Sequence, residues 1–340
     1  MAATAEPLRV IDFGEVSPLR SQTLWHAVAH GVSAGAPATL SFVRPAAPYV
    51  SIGYHRELGE LDLDFCRQND LPVMRRMVGG GPVYLDPGQL FFQIALPVSQ
   101  VPASRHRALA DLLAPAVEAF RAVGVPANLD EHLEITVGGA KVCGHGAGQI
   151  GEAVVVCGNV IETFDHARAT AILSLGEDRL RDEVLRLMRR HVRATPLDVD
   201  GFRAAAVRGY ANALGRQPQP GELTAVETAA LAELDAQFCD PAWVGGTPRP
   251  AHPARQVKVR AGVWAFSVAE GDTRVVASVR DGRLDRAWLS DPGLNGSTVS
   301  AQRAVRGLRL AEVGAALAAF GDPGQRLASA FAAADGRGCV

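Results

Sequence analysis

Two segments of the 340-residue sequence hold groups that could act on an anion. The first, MRRMVGGGPVYLDPGQLFF (residues 74–92), sets Arg75 and Arg76 beside Gly79, Gly80 and Gly81. Consecutive glycines let main-chain N–H groups point into one concavity, which suits phosphate oxygens. They also let the backbone approach a bulky ligand without Cβ interference. A guanidinium pairs bidentately with phosphate or carboxylate. The second segment, GGAKVCGHGAGQIGEAVVVCGN (138–159), sets Lys141 among Gly138, Gly139, Ala140, Gly144, Gly146, Ala147 and Gly148. Over such a floor an ammonium can reach an enclosed anion as a point charge. Neither GxxxxGK(S/T) nor a GxGxxG between strand and helix is present, which excludes the standard nucleotide loops. On motif shape alone two structural readings stay open: a flexible connection for the first segment and a solvated lysine for the second.

The chain as a whole narrows the function. Its formal charge of −2 gives no global field for nucleic acid or an anionic membrane, so any anion must be held locally. No apolar run approaches the ~20 residues of a membrane span. The start, MAATAEPLRVIDFGE, lacks the basic and apolar regions of a signal peptide, and a cytoplasmic location is expected. Five cysteines (Cys66, Cys143, Cys157, Cys239, Cys339) without a CxxC pair argue against a disulfide framework or structural zinc. His55, His132 and His145 have no metal-ligand spacing.

The elements that must position these groups follow from periodicity. Residues 18–33 read as a helix entered at Ser-Pro, and ATLSFVRP and YVSIGYH as strands. LDLDFCRQND reads as a short helix, PVMRR as a strand, and VYLDPGQLFFQIALP as a hairpin turned at Asp86-Pro87-Gly88. Residues 104–124 form an amphipathic helix with Pro115 inside. HLEITVGGAKVCGHG reads as strand, Gly-Gly turn and strand, AVVVCGNVIETFD as a further strand, and 167–238 as mostly helix. A Pro/Gly-rich break at 243–256 separates a catalytic domain, 1–245, from a smaller C-terminal domain, 256–340, of three strands followed by helices.

The two segments together resemble the lipoate–protein ligase family, within the biotin/lipoate ligase-like fold. RRMVGGGPVYLDPGQL is similar to that family's Arg-Arg, triple-glycine and Val-aromatic-His-Asp-x-Gly-Asn motif, and KVCGHGAGQIGEAVVVCGNVIETFD to its lysine turn, small-residue loop and strand. The resemblance runs over about 20–195 and resumes at 256–335, where the chain is similar to the ligases' accessory domain. It implies an α/β (α+β) fold: a mixed or antiparallel sheet in the catalytic domain and a small C-terminal α+β accessory domain. It also implies an ATP-dependent ligase that activates lipoate or octanoate as acyl-AMP, with Mg2+. The acyl group would pass to a lysine of a lipoyl-carrier domain or a glycine-cleavage H-like protein. By resemblance Lys141 contacts the carboxyl–phosphate junction. Arg75 or Arg76 and the amides of Gly79, Gly80 and Gly81 hold the adenylate, with Val83, Tyr84, Gln89, Gly144 and Gly158 around it. Asp130 is a candidate for Mg2+ or ribose, His145 for a phosphate, and Tyr84, Leu85 and Phe91 for an acyl tunnel. The chain departs from the pattern at Leu85 (histidine in the family), at Gly88-Gln89 (Gly-Asn), at Lys-Val-Cys-Gly (Lys-Ile-Ser-Gly) and at Val156-Cys157-Gly158 (His-His-Gly). Two rival readings are an octanoyl or lipoyl transferase working through a cysteine thioester, for which Cys143 is the thiol nearest Lys141 in sequence, and a non-catalytic carrier- or cofactor-binding homologue.

Overall fold

The computed structural model describes residues 6–247 and 254–335, so Cys339 lies outside the described residues. These residues form two compact units. The first takes the chain up to Leu173 and from Arg193 to the Pro/Gly-rich break; the second takes Ser174–Val192 and the C-terminal segment.

In the first unit the strands are β1 (Pro7–Val16), β2 (Thr39–Pro45), β3 (Tyr49–Ile52), β4 (Val73–Arg75), β5 (Val83–Leu85), β6 (Gln89–Pro97), β7 (Asn128–Leu129), β8 (Ile135–Val137), β9 (Ala140–Ile150), β10 (Ala153–Ile161) and β11 (Gln217–Pro220). Among the described residues they make a mixed eight-stranded sheet, ordered β11-β1-β2-β6-β10-β9-β8-β7, and a three-stranded sheet, β4-β3-β5. The expected hairpin around Asp86-Pro87-Gly88 is therefore a turn between sheets: β5 pairs with β3, whereas β6 lies between β2 and β10. The turn is a local property of Pro and Gly, but strand pairing is decided by distant partners.

Alternation along β6 shows how the large sheet is sandwiched. Leu90, Phe92, Ile94 and Leu96 join a core with α3 (Arg105–Ala122) and α6 (Val199–Leu214). Phe91 and Ala95 face the opposite side, toward α1 (Pro18–Ser33). The helices α2 (Leu63–Gln68), α4 (His166–Ala171), α7 (Ala225–Cys239) and α8 (Pro241–Gly245) complete this unit. Ser17 caps α1 and Pro18 opens it, as the sequence predicts. The unforeseen β11 is QPQP, an edge strand, the place where prolines without N–H can sit.

The second unit holds α5 (Asp178–His191), the antiparallel sheet β12 (Ala254–Arg260), β13 (Val263–Glu270), β14 (Thr273–Arg280) and β15 (Arg283–Ser290), and the helices α9 (Thr298–Val305), α10 (Val313–Leu317) and α11 (Gly321–Asp335). One strand and one helix, β12 and α9, add to the sequence reading. Helix α5 is amphipathic, burying Leu180, Val184 and Leu187, and it belongs to this unit although it lies well before the Pro/Gly-rich break. No helix among the described residues is long and apolar enough to cross a membrane.

Candidate active site

Arg75 is built into the scaffold. It is 2 % exposed and donates to the carbonyls of Gly53, Tyr54 and Arg56 on one side (2.6–3.0 Å) and of Trp243, Val244 and Gly245 on the other (2.9–3.2 Å). Trp243 Nε1–H returns a bond to the Arg75 carbonyl at 2.9 Å. The fork that was expected to grip an adenylate is thus committed to main chain, and ties β4 to the segment that ends α8. Arg76 is committed too, but to the glycines themselves: it donates to the carbonyls of Gly79 (2.8 and 3.1 Å), Gly81 (2.9 Å) and Ser51 (2.9 Å). Burial pulls this guanidinium down to about 10, so it stays charged at neutral pH.

These bonds orient the glycine loop. Every peptide among the described residues is trans, so a carbonyl turned toward the protein sends the next N–H away from it. The Val78 carbonyl accepts from Tyr54 N–H, and the Gly79 carbonyl accepts from Arg76. The N–H groups of Gly79 and Gly80 are left facing the other way, and neither meets an acceptor among the described residues. A Cβ at Gly79 or Gly81 would meet nothing within 4 Å among the described residues, whereas Gly80 has φ +100° and packs its carbonyl where a Cβ on Gly53 would have to be. Arg76 holds the glycine loop by its carbonyls, and the Gly79 and Gly80 amides point away from them. A polar support that sequence reading missed is His26 of α1, whose Nε2 accepts from Met77 N–H at 3.2 Å while Nδ1 donates to the Gln22 carbonyl at 2.6 Å.

Lys141 stands at the start of β9. Register against β8 shifts between Ile135↔Cys143 and Thr136↔Lys141, so Val142 is an extra, bulged residue. Val142 and Cys143 both enter the core, which leaves Lys141 on the opposite face. Spacing alone would have put Lys141 and Cys143 on one side; the bulge separates them. Cys143 is fully buried, and burial pushes its thiol up to about 12. Past the bulge Gly144, Gly146 and Gly148 alternate onto the face of Lys141. Val78 lies across this row: a Cβ on Gly148 would come within 2.8 Å of Val78 Cγ1, and one on Gly146 within 3.7 Å of Cγ2. The residue before the glycine loop therefore rests on the lysine strand, and the two motifs meet on one face.

The remaining candidates divide. Gln89 is buried, donates to the Tyr84 carbonyl (3.3 Å) and accepts from Asn159 Nδ2. A Cβ at Gly144 would collide with the Asn159 amide, so Asn159, which carried no sequence signal, links two motif residues. Gly158 serves packing, with the Phe92 ring against it. Tyr84, Leu85 and Phe91 are buried, the last two within the core that includes Leu24, Tyr49 and Leu231; Val83 is exposed. Asp130 caps its own turn, accepting from His132 N–H (3.0 Å) and Glu134 N–H (2.9 Å). No group of three or more His, Cys, Asp or Glu among the described residues could hold a metal. Magnesium characteristically arrives on substrate phosphates, keeping most of its waters. His145 Nδ1 is 3.9 Å from Glu134 Oε2, and Lys141 Nζ is 2.7 Å from the same oxygen.

The pattern that defines the lipoyl protein ligase A/B catalytic domain matches residues 18–205, more than half of the chain. The chain belongs to that family. A relative, octanoyltransferase LipM of Moorella thermoacetica, is 26 % identical over 269 residues, covering 71 % of this chain and 98 % of its own. Among solved structures, the bi-partite lipoate protein ligase of Thermoplasma acidophilum, solved as part of an archaeal lipoylation system with its E2 lipoyl domain, superposes with a TM-score of 0.65 at 23 % identity, over 72 % of this chain and 99 % of that one. LipL1 of P. falciparum in complex with lipoate matches 92 % of this chain and 93 % of its own, with a TM-score of 0.56 at 12 % identity. The protein is thus an enzyme of the lipoate ligase and octanoyltransferase family, with that family's fold and an additional C-terminal antiparallel sheet domain.

Proposed function

We propose that the chain is an ATP-dependent acid–lysine ligase of the cytoplasm. A lipoate or octanoate carboxylate oxygen attacks the α-phosphorus of ATP, and pyrophosphate leaves. The ε-amine of a carrier-domain lysine then attacks the acyl carbon of the mixed anhydride, and AMP leaves. The observation that carries this reading is the shared face: Lys141 and the Gly79–Gly80 amides are brought together by the packing of Val78 on Gly146 and Gly148. Lys141 and the glycines that seat Val78 share one face of β9, so a ligand lying along that face can meet both the ammonium and the glycine loop. Preoriented N–H groups and one point charge offset the repulsion between carboxylate and phosphate as they approach. The Thermoplasma relative's E2 lipoyl domain supports a lipoyl-carrier domain as the acceptor.

Thioester transfer is the second reading, favoured by the likeness to LipM. It needs an activated thiol beside the lysine. Cys143 is enclosed in the core, and Cys157, half-buried on the glycine face, is held far up by burial despite Arg76 nearby. Both favour the ligase.

The test measures pyrophosphate release from ATP with octanoate or lipoate. Acid-dependent release that drops at least a hundredfold in Lys141→Ala supports the ligase. No release, with a labelled octanoyl group trapped on a cysteine, would transfer the assignment to the thioester route.

A further inference from the structure

The ammonium of Lys141 is matched to a carboxylate that belongs to neither motif. We propose that Glu134 is a positioning residue for Lys141, holding its ammonium in place by charge and leaving its N–H donors for substrate oxygens. The proposal rests on the ligase reading above.

Glu134 is 5 % exposed and reaches Lys141 Nζ at 2.7 Å, an ion pair whose angles fall outside hydrogen-bond geometry. Its backbone is clamped at both ends. Glu134 N–H donates to Asp130 Oδ1 at 2.9 Å, and the Glu134 carbonyl accepts from Asp130 N–H at 3.0 Å, across a turn that holds Leu133 at φ +60°. The carboxylate is therefore presented from a fixed turn, while the lysine stem, with four rotatable bonds, needs something to fix it. An enclosed carboxylate in turn requires a cation beside it. His145 Nδ1 lies 3.9 Å from the same oxygen.

Residue choice points the same way. The chain has 34 basic side chains, of which only Lys141 and Lys258 are lysines; arginine is its ordinary cation. An arginine at 141 would close on Glu134 as a planar fork, its donors spent on one carboxylate. An ammonium is a compact point charge with three donors, so it can pair with Glu134 by charge and still donate to substrate oxygens. A lysine fits a role in which the carboxylate holds the charge and substrate oxygens take the donors.

The full-length chain with Glu134→Gln tests this, since the amide keeps shape and one acceptor but no charge. In pyrophosphate release, kcat should fall at least tenfold, with KM for ATP and for octanoate within threefold of wild type. Glu134→Ala should fall further and regain at least fivefold with millimolar formate, which a merely structural loss would not. On a Lys141→Ala background neither Glu134 substitution nor formate should alter the residual rate. A kcat within twofold of wild type in Glu134→Gln, or losses that multiply in the double variant, overturns the proposal. Should Glu134→Ala not fold, Glu134→Asp, with the carboxylate drawn back one methylene, is read for the same kcat-only loss. If the wild type transfers octanoyl but releases no pyrophosphate, the ligase reading fails separately, and the same variants are scored on transfer.

Discussion

Single side chains in this molecule are assigned by what encloses them. His26 stacks on Trp25 with ring centroids 3.4 Å apart and meets the edge of Phe238 at 4.9 Å. Burial lowers it to about 3, which keeps the ring neutral and its Nε2 free to accept from Met77. Its folded value lies below the ~6.5 of an unfolded histidine. Between those values the unfolded chain binds more protons, so His26 makes stability fall as pH drops from about 6.5 toward 3. His191, lowered to about 4 by burial and then by Arg260, acts in the same direction. His26→Leu should strip this contribution, flattening the pH dependence of the urea midpoint between pH 6.5 and 4. It should also cost ~1–3 kcal/mol at pH 7, because Met77 N–H loses its acceptor. An unchanged slope would show that His26 titrates normally.

Elements are fixed here by close approach. The row Gly144, Gly146, Gly148 leaves room for Asn159 and Val78, and through Val78 for the entire glycine loop. Gly148→Ala sets a methyl group against Val78 and should destabilise by ~1–3 kcal/mol. Val78→Ala on that background should recover much of the stability, measured by thermal unfolding. If the double variant is no more stable than Gly148→Ala alone, strand β9 and the loop are not in contact as described. The Arg75 clasp between β4 and the end of α8 makes a second prediction. Arg75→Lys keeps the charge but not the planar fork that six carbonyls share, and should lower stability by at least ~2 kcal/mol. Equal stability would mean that the carbonyls are as well served by water.

For the molecule as a whole, the second unit carries an electrostatic anchor of its own. In the second unit Asp291 accepts from Thr273 Oγ1 (2.6 Å), Gly293 N–H (2.9 Å) and both arms of Arg326 (2.6 and 2.8 Å). Arg326, followed by these other donors, holds its carboxyl well below the usual range. A depressed carboxylate contributes stability above its unfolded value, ~3.9, and loses it as pH falls toward the folded value. Arg326→Gln should therefore lower hydrogen-exchange protection of β14 and α11 at pH 7, and the difference from wild type should shrink at pH 3. An equal difference at both pH values would exclude the Asp291 carboxylate as the cause. Helix α5 should follow β14 and α11 in protection, because it packs within this unit despite its place in the chain.

The sequence by itself determined what is local. It gave the capped helix at 18–33, the Gly-Gly turn at 138–139, the strands on either side, and the two motifs that carry the resemblance confirmed over 18–205. Each of these is set by neighbours a few residues away, through φ, caps and periodicity. Tertiary structure alone decided the partners: that β5 and β6 part into different sheets, that a bulge at Val142 turns Cys143 into the core and Lys141 out of it, and that both arginines face carbonyls. It also recruited His26, Asn159 and Glu134, polar residues in ordinary surroundings. Their roles depend on hydrogen-bond and ion-pair partners brought close only by packing, and neither composition nor spacing encodes which distant group a buried donor or acceptor will find.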